Sequence, residues 1–263
     1  MKSSGIVRNT DAMIKWYEEL INKYNISIAS LNVILQGKSY REVNLDNKYF
    51  YEVMDQSEEI PTSSQPSIDE LLDVFKSIVK SGDNVVGVFL SSDMSGTYSS
   101  AHLAKNMVLE EYPDARIEII DSRTNCMQMG FQVIEGARAA KEGKSIEEVV
   151  EVVNNVVKSS RFLFVPDTLR YLKKGGRIGG AAALFGTILQ IRPILTVRDG
   201  VTSVFEKVRT KKKAVNAIVD KVLDDIKNYG LGDVIVHHIN CEEEGRELAK
   251  RLEEELNIPI RIQ

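Results

Sequence analysis

Short apolar runs alternate along this chain with longer stretches whose apolar residues recur at helical spacing. Strands alternating with amphipathic helices predict an α/β protein with a largely parallel sheet. The strands fall at Ile26–Leu35, Val85–Leu90, Arg116–Ile120, Arg161–Val165, Ile194–Val197, Val201–Val208 and Val234–Ile239, with helices filling the intervals. Ser67-Ile68-Asp69-Glu70 and Ser145-Ile146-Glu147-Glu148 are S-x-x-E capping boxes, in which a hydroxyl and a carboxylate satisfy the orphan N–H groups of a helix start. Glu242–Leu256 is acidic at its start and carries Lys250 and Arg251 later, as the helix dipole favours. The apolar neighbourhood Ala181 to Ile194, broken by Gly186, Gln190, Arg192 and Pro193, predicts a buried helix followed by a strand. Arg198-Asp199-Gly200-Val201 joins two β-prone runs through an Asp-Gly hairpin signal, so the second half is not purely parallel.

The chain has 263 residues, and at roughly 100–200 residues per domain this predicts two domains. The boundary is placed near Ser159-Ser160, giving an N-terminal parallel-sheet α/β domain at 1–159 and a mixed-sheet α/β domain at 160–263. A net charge of −4 with scattered basic residues lacks the footprint of a nucleic-acid binder. The run Lys211-Lys212-Lys213 is short and reads as the solvated start of a helix. Cys126 and Cys241 are too few for a disulfide framework and fit a reducing compartment, so a cytoplasmic protein is expected. The N-terminal residues offer no signal-peptide apolar region, and no stretch approaches the ~20 apolar residues of a membrane span.

Three segments could carry function. Pro61-Thr62-Ser63-Ser64-Gln65-Pro66-Ser67 presents consecutive hydroxyls in a loop stiffened by two prolines. Ser91 to Ser100 follows an apolar strand and opens a helix, the place where open α/β sheets bind ligands. There Ser95 is expected at the N-cap or first turn, Thr97 follows, and Gly96 allows a ligand close to the backbone, which together suit an anion. Single serines and threonines in such turns ordinarily serve as caps. The third segment, Asp167 to Gly180, is a short basic helix stopped by Gly175-Gly176, after which Arg177 stands between glycines as a candidate recognition residue.

Phosphate-loop and dinucleotide fingerprints are missing, as are G-x-S-x-G and H-E-x-x-H. His237 and His238 lie on one strand, where alternation points them to opposite faces, so neither a metal nor a catalytic site is expected from them.

Taken together, the Thr-Ser-Ser-Gln-Pro-Ser loop, Ser95-Gly96-Thr97-Tyr98, Asp167-Thr168-Leu169 through Gly175-Gly176-Arg177-Ile178, Ile191-Arg192-Pro193-Ile194-Leu195 and Val208-Arg209-Thr210 resemble the DegV family in order and approximate spacing. The resemblance implies a two-domain DegV-like α/β fold that buries a long-chain fatty acid between its domains. It also implies that the acid is presented to the catalytic subunit of a fatty acid kinase, with no cofactor beyond the lipid and no enzymatic step on this chain. Ser63 and Ser95 would grip the carboxylate, supported by Thr62, Gly96 and Thr97. Phe164, Phe185, Ile188 and Ile191 are candidates for the acyl tunnel, and Arg177 and Arg209 for docking the kinase. Two departures stand out. Gly5-Ile6-Val7 runs into Arg8-Asn9-Thr10-Asp11 where the family has a T-D-S-T turn, and the second domain is expected to lack the last strand with its G-T-H-x-G-P-G-like segment. A partner-binding scaffold that has lost the lipid, and a small transferase or hydrolase using the Ser91–Ser100 turn, are the competing expectations.

Overall fold

The structure, a computed structural model, describes residues 2–5, 19–57, 59–185 and 191–262. Its first half contains β1 (Lys2–Gly5), β2 (Asn32–Leu35), β3 (Lys38–Arg41), α1 (Asn47–Gln56), β4 (Thr62–Ser64), α2 (Ile68–Lys80), β5 (Val85–Phe89), α3 (Thr97–Glu111), β6 (Ile117–Asp121), α4 (Cys126–Lys141) and α5 (Ile146–Lys158). Its second half contains β7 (Leu163–Phe164), α6 (Arg170–Lys174), β8 (Arg192–Arg198), β9 (Val201–Val208), α7 (Lys211–Tyr229), β10 (Ile235–Val236), α8 (Glu242–Leu256) and β11 (Arg261–Ile262).

The expected parallel sheet is present as β1-β5-β6, with β5 in the middle. All five residues of β5 are buried, as a strand covered on both faces requires. Leu71, Phe75 and Ile78 of α2, Ala101, Ala104 and Val108 of α3, and Val149 and Val153 of α5 belong to the same core as β5. The α4–α5 contact is close because Gly136 has no side chain: a Cβ there would stand 2.6 Å from Val153 Cγ2. Beside this sheet the first half adds a small antiparallel one, β3-β2-β4, which the alternation of strand and helix did not announce.

The second half is mixed, as expected, but as two separate sheets: antiparallel β7-β8-β9 and parallel β10-β11. Asp199 (φ 52°) and Gly200 (φ 84°) both occupy the left-handed region at the β8–β9 turn, the signature of a type I′ hairpin.

Three predicted strands are shorter than their apolar runs. Ile26–Leu35 forms a continuous strand only over Asn32–Leu35, with an isolated bridge at Ser27, Arg161–Val165 only over Leu163–Phe164, and Val234–Ile239 only over Ile235–Val236. A strand lasts only while a partner backbone lies alongside, and other groups take over where it diverges: the Ser30 amide donates to Glu70 Oε1 at 3.0 Å. That same bond corrects the first capping box. Ser67 Oγ accepts from the Glu70 amide, but the Glu70 carboxylate turns to Ser30 and Arg41 and so ties α2 to the small antiparallel sheet. The box at Ser145 and Glu148 closes reciprocally. Of the predicted buried helix from Ala181, the described residues form a 3-10 turn over Gly179–Leu184, seated on β9, where the Thr202 backbone occupies the space of a Gly179 side chain; residues 186–190 of that prediction lie outside the described residues.

Candidate functional site

The Thr62–Ser64 segment forms a true strand, paired with β2 so that Ser63 faces Val33 in the register. All three of its hydroxyl residues are exposed. Immediately after it, Gln65 reaches the start of α3, where its Nε2 donates to the Oγ of Ser100 at 2.6 Å. Ser100 is buried, so this bond satisfies a hydroxyl shielded from water. A Cβ on Gly96 would lie 2.5 Å from Gln65 Oε1. Glycine at 96 therefore makes room for the Gln65 amide while its backbone stays exposed. Thr62–Gln65 and Ser95–Ser100, distant in sequence, are held together by this contact.

The turn leading into α3 is folded by Ser91, whose carbonyl accepts from the amides of Met94 (2.9 Å) and Ser95 (3.0 Å). Gly96, not Ser95, is the N-cap residue, and no side chain caps the helix from that position. Ser95 Oγ accepts from the Thr97 amide at 3.3 Å and shares a proton with Thr97 Oγ1 at 2.8 Å. Thr97 is fully buried and Ser95 half-buried. One hydroxyl proton of this pair is consumed internally; with Thr97 Oγ1 as the donor, the proton of the half-buried Ser95 is left for a ligand. The amides of Tyr98 and Ser99 make no hydrogen bond among the described residues. A hydroxyl donor beside open first-turn amides can hold a carboxylate without any cationic side chain.

The second half reaches the same turn. Arg177, although exposed, donates from Nε to the Met94 carbonyl at 2.9 Å. Arg209 is exposed and makes no ion pair or hydrogen bond through its side chain among the described residues. The hairpin tip adds a second link: Ser91 Oγ, fully buried, donates to the Gly200 carbonyl at 2.7 Å. Arg123 pairs with Asp93 at 2.6 Å and Asp121 at 3.2 Å and donates to the Asp199 carbonyl.

Of the tunnel candidates, Phe164 and Ile191 pack in one cluster with Leu169, Ala181, Leu184 and Leu195. Phe185 is exposed, with the Lys173 ammonium 3.7 Å from its ring centroid. Ile188 lies outside the described residues. Both histidines follow the end of β10 at Val236, which corrects their expected place on the strand, and they meet different neighbours. His237 meets Phe162 edge-on at 6.4 Å, and His238 lies against Gly245 of α8. Burial, aided by the neighbouring His238, pushes His237 down to about 4. Among the described residues no group of three or more His, Cys, Asp or Glu side chains could hold a metal ion, and no helix is long and apolar enough to cross a membrane.

The order of these elements and the hydroxyl turn they surround can be compared with known proteins. The model of a family described as uncharacterised proteins of the DegV family matches residues 6–263. The chain belongs to the DegV family. A DegV domain-containing protein of Clostridium acetobutylicum is 52% identical over 249 residues, 95% of this chain and 87% of that protein. The crystal structure of DegV from Bacillus subtilis, described as a fatty acid binding protein, superposes with a TM-score of 0.85 at 33% identity, covering 100% of this chain and 92% of that one. The Fatty Acid Kinase (Fak) B3 protein of Streptococcus pneumoniae, solved loaded with linoleic acid, gives a TM-score of 0.79 at 26% identity, covering 99% of this chain and 91% of that one.

Within this DegV fold, sequence reasoning missed Arg123 and, inside the segments it singled out, the contacts made by Gln65, Ser91 and Ser100. Gln65 lies among the hydroxyls of the Thr62–Ser67 loop, and nothing in its spacing marks it as the bridge to Ser100. Nothing in local spacing signals that Arg123 and Gly200, 77 positions apart, meet.

Proposed function

We infer that this DegV-family protein is a carrier that holds one long-chain fatty acid by its carboxylate. Ser63 and Ser95 supply the hydroxyl donors, with Thr62, Gly96 and Thr97 shaping their surroundings. The observation that carries this reading is the Gln65 bridge, which draws the exposed strand bearing Ser63 to the turn bearing Ser95. Neutral donors suffice for the head group because the tail supplies the affinity, at about 0.8 kcal/mol per buried CH₂. Phe164 and Ile191, already clustered between α6 and β8, are the side chains in place to meet that tail.

The likeness to a Fak B3 protein supports a further step, in which the bound acid is presented to the catalytic subunit of a fatty acid kinase. On this reading Arg177 and Arg209 face the partner, phosphoryl transfer belongs to the kinase, and the protein works in the cytoplasm. The division into domains at Ser159-Ser160 belongs to the same proposal, with the lipid lying between the two halves.

Native mass spectrometry of the protein as expressed tests the carrier. A copurifying mass of a common long-chain fatty acid is expected, depleted when Ser63 and Ser95 are both replaced by alanine. Ligand-free protein that takes up no fatty acid on titration would overturn it.

A further inference from the structure

A cavity of about 360 Å³ opens at the seam between the two halves, on residues none of which belongs to the proposed carboxylate site. Its wall contains three guanidinium groups, Arg123, Arg161 and Arg198, against a single acidic residue, Asp199. The carboxylates that balance the first two do not line it. Arg123 is held from behind by Asp93 and Asp121, and Arg161 by Asp225 through both Nε and Nη2. Those carboxylates fix the orientation of the two guanidinium planes, which removes part of the entropic cost of binding. The third, Arg198, ends β8 and carries no hydrogen bond or ion pair through its side chain among the described residues.

Neutral groups complete the wall. The Gln128 amide donates to Ser160 Oγ at 3.0 Å, which leaves the Ser160 proton available to an acceptor. Phe162 supplies a flat apolar surface, already stacked at 5.1 Å on Phe164. Guanidinium forks and a hydroxyl donor match the equatorial oxygens of a phosphate group, which Arg binds in bidentate fashion. The volume lies at the lower end of small-molecule pockets, roughly 300–1,000 Å³, and so exceeds what a bare oxyanion fills.

We propose that this seam is a second ligand site, which takes a small soluble phosphate ester with its phosphate on Arg198, Arg161 and Ser160 and its organic part against Phe162. Because the wall joins Arg123 and Ser160 of the first half and its linker to the β8–β9 hairpin, an occupant also braces one half against the other. The proposal is independent of fatty-acid binding.

Calorimetric titration of the full chain with inorganic pyrophosphate, AMP and adenosine, at matched ionic strength, tests it. Saturable binding of pyrophosphate and AMP is expected, with none of adenosine. Arg198→Gln should weaken both phosphate compounds by about ten- to hundredfold, the worth of a charge-assisted pair. Arg198→Lys, which keeps the charge and loses the fork, should fall between. Arg198 is exposed, so these variants should fold and retain copurified lipid like the unaltered protein. Heats that fail to saturate, equal binding of adenosine, or unchanged affinity in Arg198→Gln would each overturn the site.

Discussion

Gln65 Oε1 occupies the space that a side chain on Gly96 would need, while the Nε2 of the same amide donates to Ser100 at 2.6 Å. Two loops that sequence reasoning treated as parallel suppliers of hydroxyl groups are in fact locked by one glutamine, and the lock fixes how their serines are presented.

Replacing Gly96 with alanine therefore acts on Gln65. The obstructing atom is the end of a flexible side chain, so the amide swings away and the Ser100 bond is lost, at about 1 kcal/mol of stability. Retention of fatty acid, read by native mass spectrometry, should fall more than the melting temperature does. In a Gln65→Ala background the same substitution should cost almost nothing further, and additive losses in that cycle would show that the two residues are uncoupled.

Gly200 is more demanding. It combines a φ of 84° with a Cβ position 2.5 Å from the Arg123 guanidinium and 2.7 Å from Ser91 Oγ. Gly37, with a φ of 70° and open space around it, isolates the backbone component. Gly37→Ala should cost about 1 kcal/mol in urea unfolding, and Gly200→Ala about 3 kcal/mol, since the hairpin tip must also leave its seat. Equal costs would mean that the tip does not bear on Ser91 and Arg123.

Arg177 and Arg209 separate two roles. Arg177→Ala releases the Met94 carbonyl in the turn that carries Ser95, so it should lower fatty-acid retention as well as any binding of a kinase partner. Arg209→Ala removes an exposed side chain with no partner among the described residues and should leave retention unchanged. Equal retention in the two variants would deny Arg177 its part in the turn.

His237 makes stability depend on pH. Its folded-state value near 4 lies below the ordinary 6.5, so the imidazole is neutral in both states above pH 6.5 and its contribution is intact there. As pH falls from 6.5 towards 4 the unfolded chain takes up a proton that the folded chain refuses, and stability declines by a total of about 3 kcal/mol. His237→Leu should flatten that part of the pH profile of urea unfolding, and an unchanged slope would show that another group is responsible.

How much of this could be read from the chain depends on range. The Asp199-Gly200 hairpin, the helix starts at Ser67 and Ser145 and the central strand Val85–Phe89 were all legible, because turn chemistry, capping and apolar patterning act within a few residues. The hydroxyl segments were legible too, through composition and through their resemblance to a family.

What the tertiary structure alone decided lies in contacts between distant residues. Local preference states that Glu70 can close a capping box, but not that Ser30 and Arg41 will claim its carboxylate. Glycine at 96 reads as open backbone, and nothing local says that the end of a neighbouring strand brings Gln65 against it. Backbone propensities are short-ranged and survive any arrangement of the chain, whereas the partner of a side chain is set only when packing of the core brings remote segments within hydrogen-bonding distance.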